Sequence, residues 1–245
     1  MTRTDMIKSP GKIHLKFIPS RARYYIKCPY FLYLSNTRNI HIPYSRIASR
    51  KGNLFEEVVD RRVSEEAGCG IKKALRVIDL LQAEGLYTLN RKVDTEFYSW
   101  NNIGLRVKML KPDLILSERS ESGIGITVLE IKNCDCMMSY HYLQAYVYKL
   151  TLEKFLTQET GEPVRVGARM IHLKKGCFPR YESGDDFETF AERISGMKSD
   201  YLVIRDFVDG ESELVLQRTL REIASLQANT TECDTCPGAE KCDRS

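Results

Sequence analysis

The stretch Ile126-Thr-Val-Leu-Glu-Ile-Lys132 constrains the fold more than any other part of the chain. Its β-branched and aliphatic residues, arriving just after a turn signal at Ser120 to Gly125, predict a strand. Strand side chains alternate, so Glu130 and Lys132 share one face while Ile131 points into the core. Other extended runs cover Lys92 to Trp100, Leu105 to Leu116 and Val164 to Leu173. Between the last two strands, Ser139 to Thr157 returns to helical period with Leu143, Val147 and Leu150 on one side. Upstream, Ser20 to Leu34 reads as a helix with Ser20 as N-cap and an interruption at Pro29, which lacks an N–H and clashes with the preceding turn. Ser49 to Glu66 is helical with Leu54, Val58 and Val59 on one face, and Ile71 to Glu84 reads as a second helix closed by Gly85. Asp185 to Lys198 and Glu213 to Leu226 add two more. This order predicts an α/β fold with one central mixed sheet flanked by helices.

The size of the chain, 245 residues with 42% hydrophobic and 29% charged, fits a single domain over residues 1–245 and excludes wholesale disorder. No apolar run reaches the roughly 18–20 residues of a membrane-spanning helix. Met1 to Lys8 lacks the apolar centre of a signal peptide, so the expected location is the cytoplasm, with no membrane partner. The formal charge of +4 permits a nucleic-acid partner without requiring one.

The chemistry concentrates on Asp113, Glu130 and Lys132. A turn joins the strands that carry them, so the two carboxylates can converge at one end of the sheet. Two carboxylates and an ammonium at one point suit phosphodiester hydrolysis. The carboxylates bind Mg²⁺ or Mn²⁺, hard ions that prefer oxygen, and the lysine positions the nucleophile or neutralises phosphate. In the following helix, Gln144 and Tyr148 stand four residues apart and project from one face.

Asp, then Glu-x-Lys, then Gln-x-x-x-Tyr, in this order, resembles the PD-(D/E)xK nucleases of the RecB type, with their restriction-endonuclease-like core, here about 45–200. The resemblance implies catalytic roles for Asp113, Glu130, Lys132, Gln144 and Tyr148. It also implies a metal ligand from an upstream helix, normally the histidine of a Gly-x-x-x-His-Glu pattern. The matching stretch is Gly52-Asn-Leu-Phe-Glu56-Glu57. Glu56 stands where the histidine is expected, giving Glu56, Asp113 and Glu130 as the expected ligands.

Cysteines carry a second signal. Cys233-x-x-Cys236 and Cys242 crowd three thiols into ten residues. With no secretion signal, such a cluster points to metal chemistry before disulfides. Metal sites commonly take four ligands, and Cys28 is the candidate for the fourth. One cysteine before the nuclease core and three after it resemble the RecB-type nucleases with a C-terminal iron–sulfur staple, here joining 20–35 to 228–245. The resemblance implies a 4Fe-4S cluster, with a 2Fe-2S form or zinc as the alternatives. Cys69 and Cys177 read as packing residues, and the one-residue spacing of Cys134 and Cys136 is unusual for a metal pair.

In size and in having a single nuclease core, the chain is similar to the CRISPR-associated RecB-like exonucleases, the fourth core Cas proteins. That similarity implies metal-dependent cleavage of single-stranded DNA ends during spacer acquisition, in partnership with the CRISPR integrase. Two alternatives stay open: a stand-alone RecB-like nuclease of a virus or mobile element, and a non-catalytic iron–sulfur DNA-binding or adaptor protein with a degenerate site.

Overall fold

The computed structural model of the chain describes residues 11–38, 40, 42, 46–120, 123–134, 136–175, 187–206, 210–227 and 237. Chain order begins with β1 (Ile13–Lys16), α1 (Ala22–Lys27), α2 (Tyr30–Thr37), α3 (Arg46–Ala67), β2 (Ile71–Lys73) and β3 (Gly85–Thr88). It continues with β4 (Arg91–Trp100), β5 (Ile103–Leu110), β6 (Leu114–Ser120), β7 (Gly123–Lys132), α4 (Ser139–Thr160), β8 (Val166–Leu173), α5 (Phe187–Ser195), β9 (Leu202–Asp206) and α6 (Gly210–Ala224).

The architecture is α/β with mixed sheets flanked by helices, but the strands form two sheets rather than one. The smaller has the order β1-β5-β4, the larger β2-β3-β6-β7-β8-β9. In the larger sheet β3, β6 and β7 run antiparallel in turn, and β8 then joins β7 in parallel after the α4 crossover. The run expected over Leu105 to Leu116 is therefore split. β5 ends at Leu110 and β6 starts at Leu114, each in a different sheet. Pro112, with no N–H for a ladder, lies in the break.

Ile71 to Glu84 is not a helix. It forms the short strand β2, parallel to β3, and then a 3₁₀ turn over Val77–Leu81 whose Arg76 N–H donates to Asp79 at 2.8 Å. Gly85 consequently opens β3 at φ 141 instead of capping a helix. The apolar spacing that suggested a helix buries Val77 and Leu80 equally well in the irregular segment, and pairing with β3 decides the matter. The N-terminal break occurs where Pro29 predicts it, between α1 and α2.

Apolar packing forms two layers of core. Even-numbered positions of β7 and β8 (Ile126, Val128, Val166, Ala168, Met170) pack with α4, α1, α2 and the smaller sheet. Odd-numbered ones (Leu129, Ile131, Ile171, Leu173) pack with Phe55 and Val59 of α3 and with Phe190 and Ile194 of α5. α4 touches β7 and β8 on one side and β4 and β5 on the other, so it runs between the sheets. It ends at Gly161, whose φ of 75 is the left-handed conformation glycine adopts without a Cβ penalty.

Candidate active site

β6 and β7 bring the acidic residues together. Leu114 pairs with Leu129, so Asp113, one residue before β6, stands beside Glu130. The Ile131 N–H donates to Asp113 Oδ2 at 2.7 Å, fixing that carboxylate against the strand end. Lys132 Nζ donates to Glu130 Oε2 at 2.7 Å and lies 3.5 Å from Asp113 Oδ2. Ile131 points the other way, into the α3 and α5 core, as strand alternation requires.

α3 adds acids from the opposite face. Burial, then the Asp113 carboxylate, raises the Glu56 pKa to about 7, with Lys132 pulling the other way, so Glu56 shares the field of the cluster. Asp60, one helical turn further, is raised to about 6 by burial and then by Asp113. Glu57, between them, is exposed. Glu130 is 0% exposed; burial and the neighbouring Asp113 push its carboxyl well above the ordinary range against the pull of Lys132. Burial also works against the Lys132 ammonium, but Glu130 and Asp113 outweigh it and hold its pKa above that of an ordinary lysine. Lys132 thus acts on Glu56, Asp113 and Glu130, Lys111 adds to it at Glu56, and Asp60 meets only like charge, so negative charge is in surplus and protons or another cation relieve it.

α4 covers the site. Tyr148 is buried, and its phenol pKa is raised by burial and then by the charges of Glu130 and Asp113, so the phenol shares the field of the cluster. Gln144 is half-buried one turn earlier on the same helix. His141, at the start of α4, accepts the Met138 N–H on Nδ1 at 3.2 Å. Burial and then Lys132 lower its pKa to about 4, so it is neutral near pH 7.

Sequence reasoning left two residues out of the ligand set. Asp60, four residues from Glu56 on one helical face, is legible in the sequence as the alternative ligand should Glu56 be solvated. His172 has no metal spacing in the sequence, and only the β7–β8 register pairs it with Lys132. His172 is buried, its Nδ1 lies 2.8 Å from the Leu173 carbonyl, and Nε2 is buried with no hydrogen-bond partner. A carbonyl only accepts, so Nδ1 is the donor in that contact.

Among the described residues no three His, Cys, Asp or Glu side chains already surround one point, since the Lys132 ammonium sits between Glu130 and Asp113. The donors nevertheless fit a hard divalent cation. Glu130 Oε1 and Asp60 Oδ1 are buried without a hydrogen-bond partner, and a carboxylate oxygen left so is stabilised by a cation.

No protein-family model matches the chain, and no curated protein does.

The cysteine set is only partly within view. Cys28 is buried, 9% exposed, in the break between α1 and α2. Cys233, Cys236 and Cys242 lie outside the described residues, as does Cys177. Cys69 packs beside the α3 and α5 core, in keeping with a packing residue. Among the described residues no helix is long and apolar enough to cross a membrane.

Proposed function

We propose that the chain is a metal-dependent DNA nuclease of the PD-(D/E)xK type. The observation that carries this reading is the convergence of Asp113, Glu130 and Lys132 at the end of β6 and β7, with Glu130 buried and one of its oxygens unpartnered. The antiparallel β3, β6 and β7 of one sheet, followed by α4 and the parallel β8, with α3 packed against β7, are compatible with a mixed-sheet core of this kind. Glu56, Asp113 and Glu130 would hold Mg²⁺ or Mn²⁺, which supplies charge stabilisation and an activated water.

The chain's own residues do the rest. Lys132, held charged by its two carboxylates, neutralises the scissile phosphate. Tyr148 and Gln144, on one face of α4, orient the strand against it. The buried α4 face keeps bulk water from the carboxylates, which strengthens every charge interaction among them. The substrate we assign is single-stranded DNA, attacked from an end during CRISPR spacer acquisition beside the integrase. This part rests on the family resemblance.

The iron–sulfur reading has structural support of its own. The Tyr30 N–H donates to the Gln227 carbonyl at 3.2 Å, so the chain leaving α6 passes two residues from Cys28. Cys233 follows six residues later and can reach Cys28 without moving the core.

The test is cleavage of end-labelled single-stranded DNA in Mn²⁺ and in Mg²⁺, with an EDTA control. Asp113→Asn and Glu130→Gln should lose activity by about 10²-fold or more while still binding DNA. Wild-type rates in Asp113→Asn would sink the assignment.

A further inference from the structure

Lys132 occupies the point where the carboxylates converge. Its Nζ stands 2.7 Å from Glu130 Oε2 and 3.5 Å from Asp113 Oδ2. A divalent cation held by the same carboxylates repels that ammonium, so the ammonium has to give way. The lysine side chain is only 16% exposed, and a buried ammonium left unpaired is strongly destabilising. It needs another acceptor. Among the described residues, the buried acceptors without a partner are Asp60 Oδ1, Glu130 Oε1, the Tyr25 hydroxyl and His172 Nε2. The first two are the oxygens that fit the cation. Tyr25 belongs to α1 and packs between Phe17 and Phe31, away from β7. His172 Nε2 is left, and strand register puts it at the lysine. Lys132 and His172 are partners on the parallel strands β7 and β8, about 4.8 Å apart in such a sheet and within the sweep of a flexible lysine stem. Val128 and Met170 point into the core under α4, and alternation carries Lys132 and His172 to that same face.

The His172 ring is 4% exposed and donates through Nδ1 to the Leu173 carbonyl at 2.8 Å. A neutral imidazole that donates through one ring nitrogen accepts through the other. A second proton on Nε2 would bury a cationic donor without a partner beside the Lys132 ammonium, which favours the neutral ring. We propose that His172 is a positioning residue: its Nε2 receives the Lys132 ammonium when a divalent cation takes the carboxylates. The lysine then stays charged and inside the site instead of leaving for solvent, and one pair of carboxylates serves the ammonium before the metal arrives and the metal afterwards. The proposal rests on the hydrolytic reading and deepens it.

The experiment uses the full chain with Mn²⁺ alone as the probe, the free ion being counted by electron paramagnetic resonance, so that no cleavage is needed. Wild type should bind Mn²⁺ at a site that Asp113→Asn removes. His172→Phe keeps the ring volume without the acceptor, and should weaken that binding by about tenfold or more, the worth of one hydrogen bond to a charged group. His172→Leu, smaller and equally without an acceptor, should show the same loss and replaces the phenylalanine variant if that one fails to fold. His172→Gln returns an acceptor near the Nε2 position and should stay within about threefold of wild type. In a Lys132→Met background the ammonium is gone, so His172→Phe should change Mn²⁺ affinity by less than about twofold. Wild-type affinity in both acceptor-free variants, or a tenfold loss that persists without Lys132, would overturn the proposal and leave the hydrolytic site standing. Mn²⁺ binding that Asp113→Asn leaves intact would overturn both.

Discussion

At the scale of single residues, the site trades stability for charge. Glu56 and Asp60 are held partly buried near Asp113, with Lys132 and Lys111 offsetting the charge at Glu56 alone of the two. Removing one carboxylate relieves repulsion. Glu56→Gln should therefore stabilise the metal-free protein at pH 8 by about 1 kcal/mol, a value discounted for the solvent that still reaches the group. Thermal unfolding in EDTA measures it; an unchanged Tm for the variant would show that Glu56 is only a solvated helix residue, and a lower Tm that its charge is favourably paired. The same change should weaken Mn²⁺ binding. His141 gives a pH dependence of definite sign. Its folded pKa, about 4, lies below the ordinary histidine value of 6.5, so the unfolded chain binds more protons between those limits. The stability that it contributes is complete above about pH 6.5 and is lost as pH falls towards 4. His141→Asn keeps an acceptor for the Met138 N–H and should flatten the curve. Wild type minus variant should change by about 1 kcal/mol across that window, again discounted for exposure. Parallel curves would mean that His141 is more solvated than its place beside Lys132 implies.

At the scale of elements, α4 and the β6–β7 pair carry most of what matters. α4 reads in sequence as an amphipathic helix with Leu143, Val147 and Leu150 on one side. In the fold it is buried nearly all round: Leu143, Ala145, Tyr146, Val147, Tyr148, Lys149, Thr151, Leu152 and Leu156. Leu150 is only half-buried. The polar members are satisfied locally. Lys149 pairs with Glu153 at 2.9 Å, Thr151 donates to the Val147 carbonyl at 2.6 Å, and Tyr146 donates to Glu213 of α6 at 2.9 Å. Leu152→Ala should cost about 2–5 kcal/mol, since neither sheet can close over the cavity. A denaturant titration checks it, and a loss below 1 kcal/mol would contradict a helix packed on both sides. Tyr146→Phe should cost only about 1 kcal/mol, the loss of one hydrogen bond with the ring retained.

At the scale of the molecule, α1, α2 and α6 gather where the chain leaving α6 returns to Tyr30. If a cluster joins Cys28 to the tail, its ligation energy is folding energy. Cys28→Ser should then abolish bound iron and lower Tm by about 5 °C or more, since roughly 2 kcal/mol corresponds to that shift for a chain of this size. Anaerobically purified wild type should contain iron in stoichiometric amount. Iron-free, zinc-loaded protein would move the assignment to a zinc site, and an unchanged Tm in Cys28→Ser would remove Cys28 from the ligands.

The sequence alone determined whatever depends on neighbours along the chain. Alternation placed Glu130 and Lys132 together with Ile131 opposed, the turn before Gly125 made β6 and β7 partners, and Pro29 broke the first helix. The convergence of Asp113 with Glu130 followed from those local rules. Only the tertiary structure decided the rest, because it depends on which surfaces remain to be covered. Ile71–Lys73 became a strand because the β3 edge needed a partner, a preference that a short apolar run does not encode. The strands divided into two sheets because the break at Pro112 lets β5 and β6 diverge around α4. His172 came beside Lys132 through strand register, a long-range pairing that no local spacing specifies, whereas Asp60 shares a helical face with Glu56 in the sequence and needed the fold only to meet Asp113.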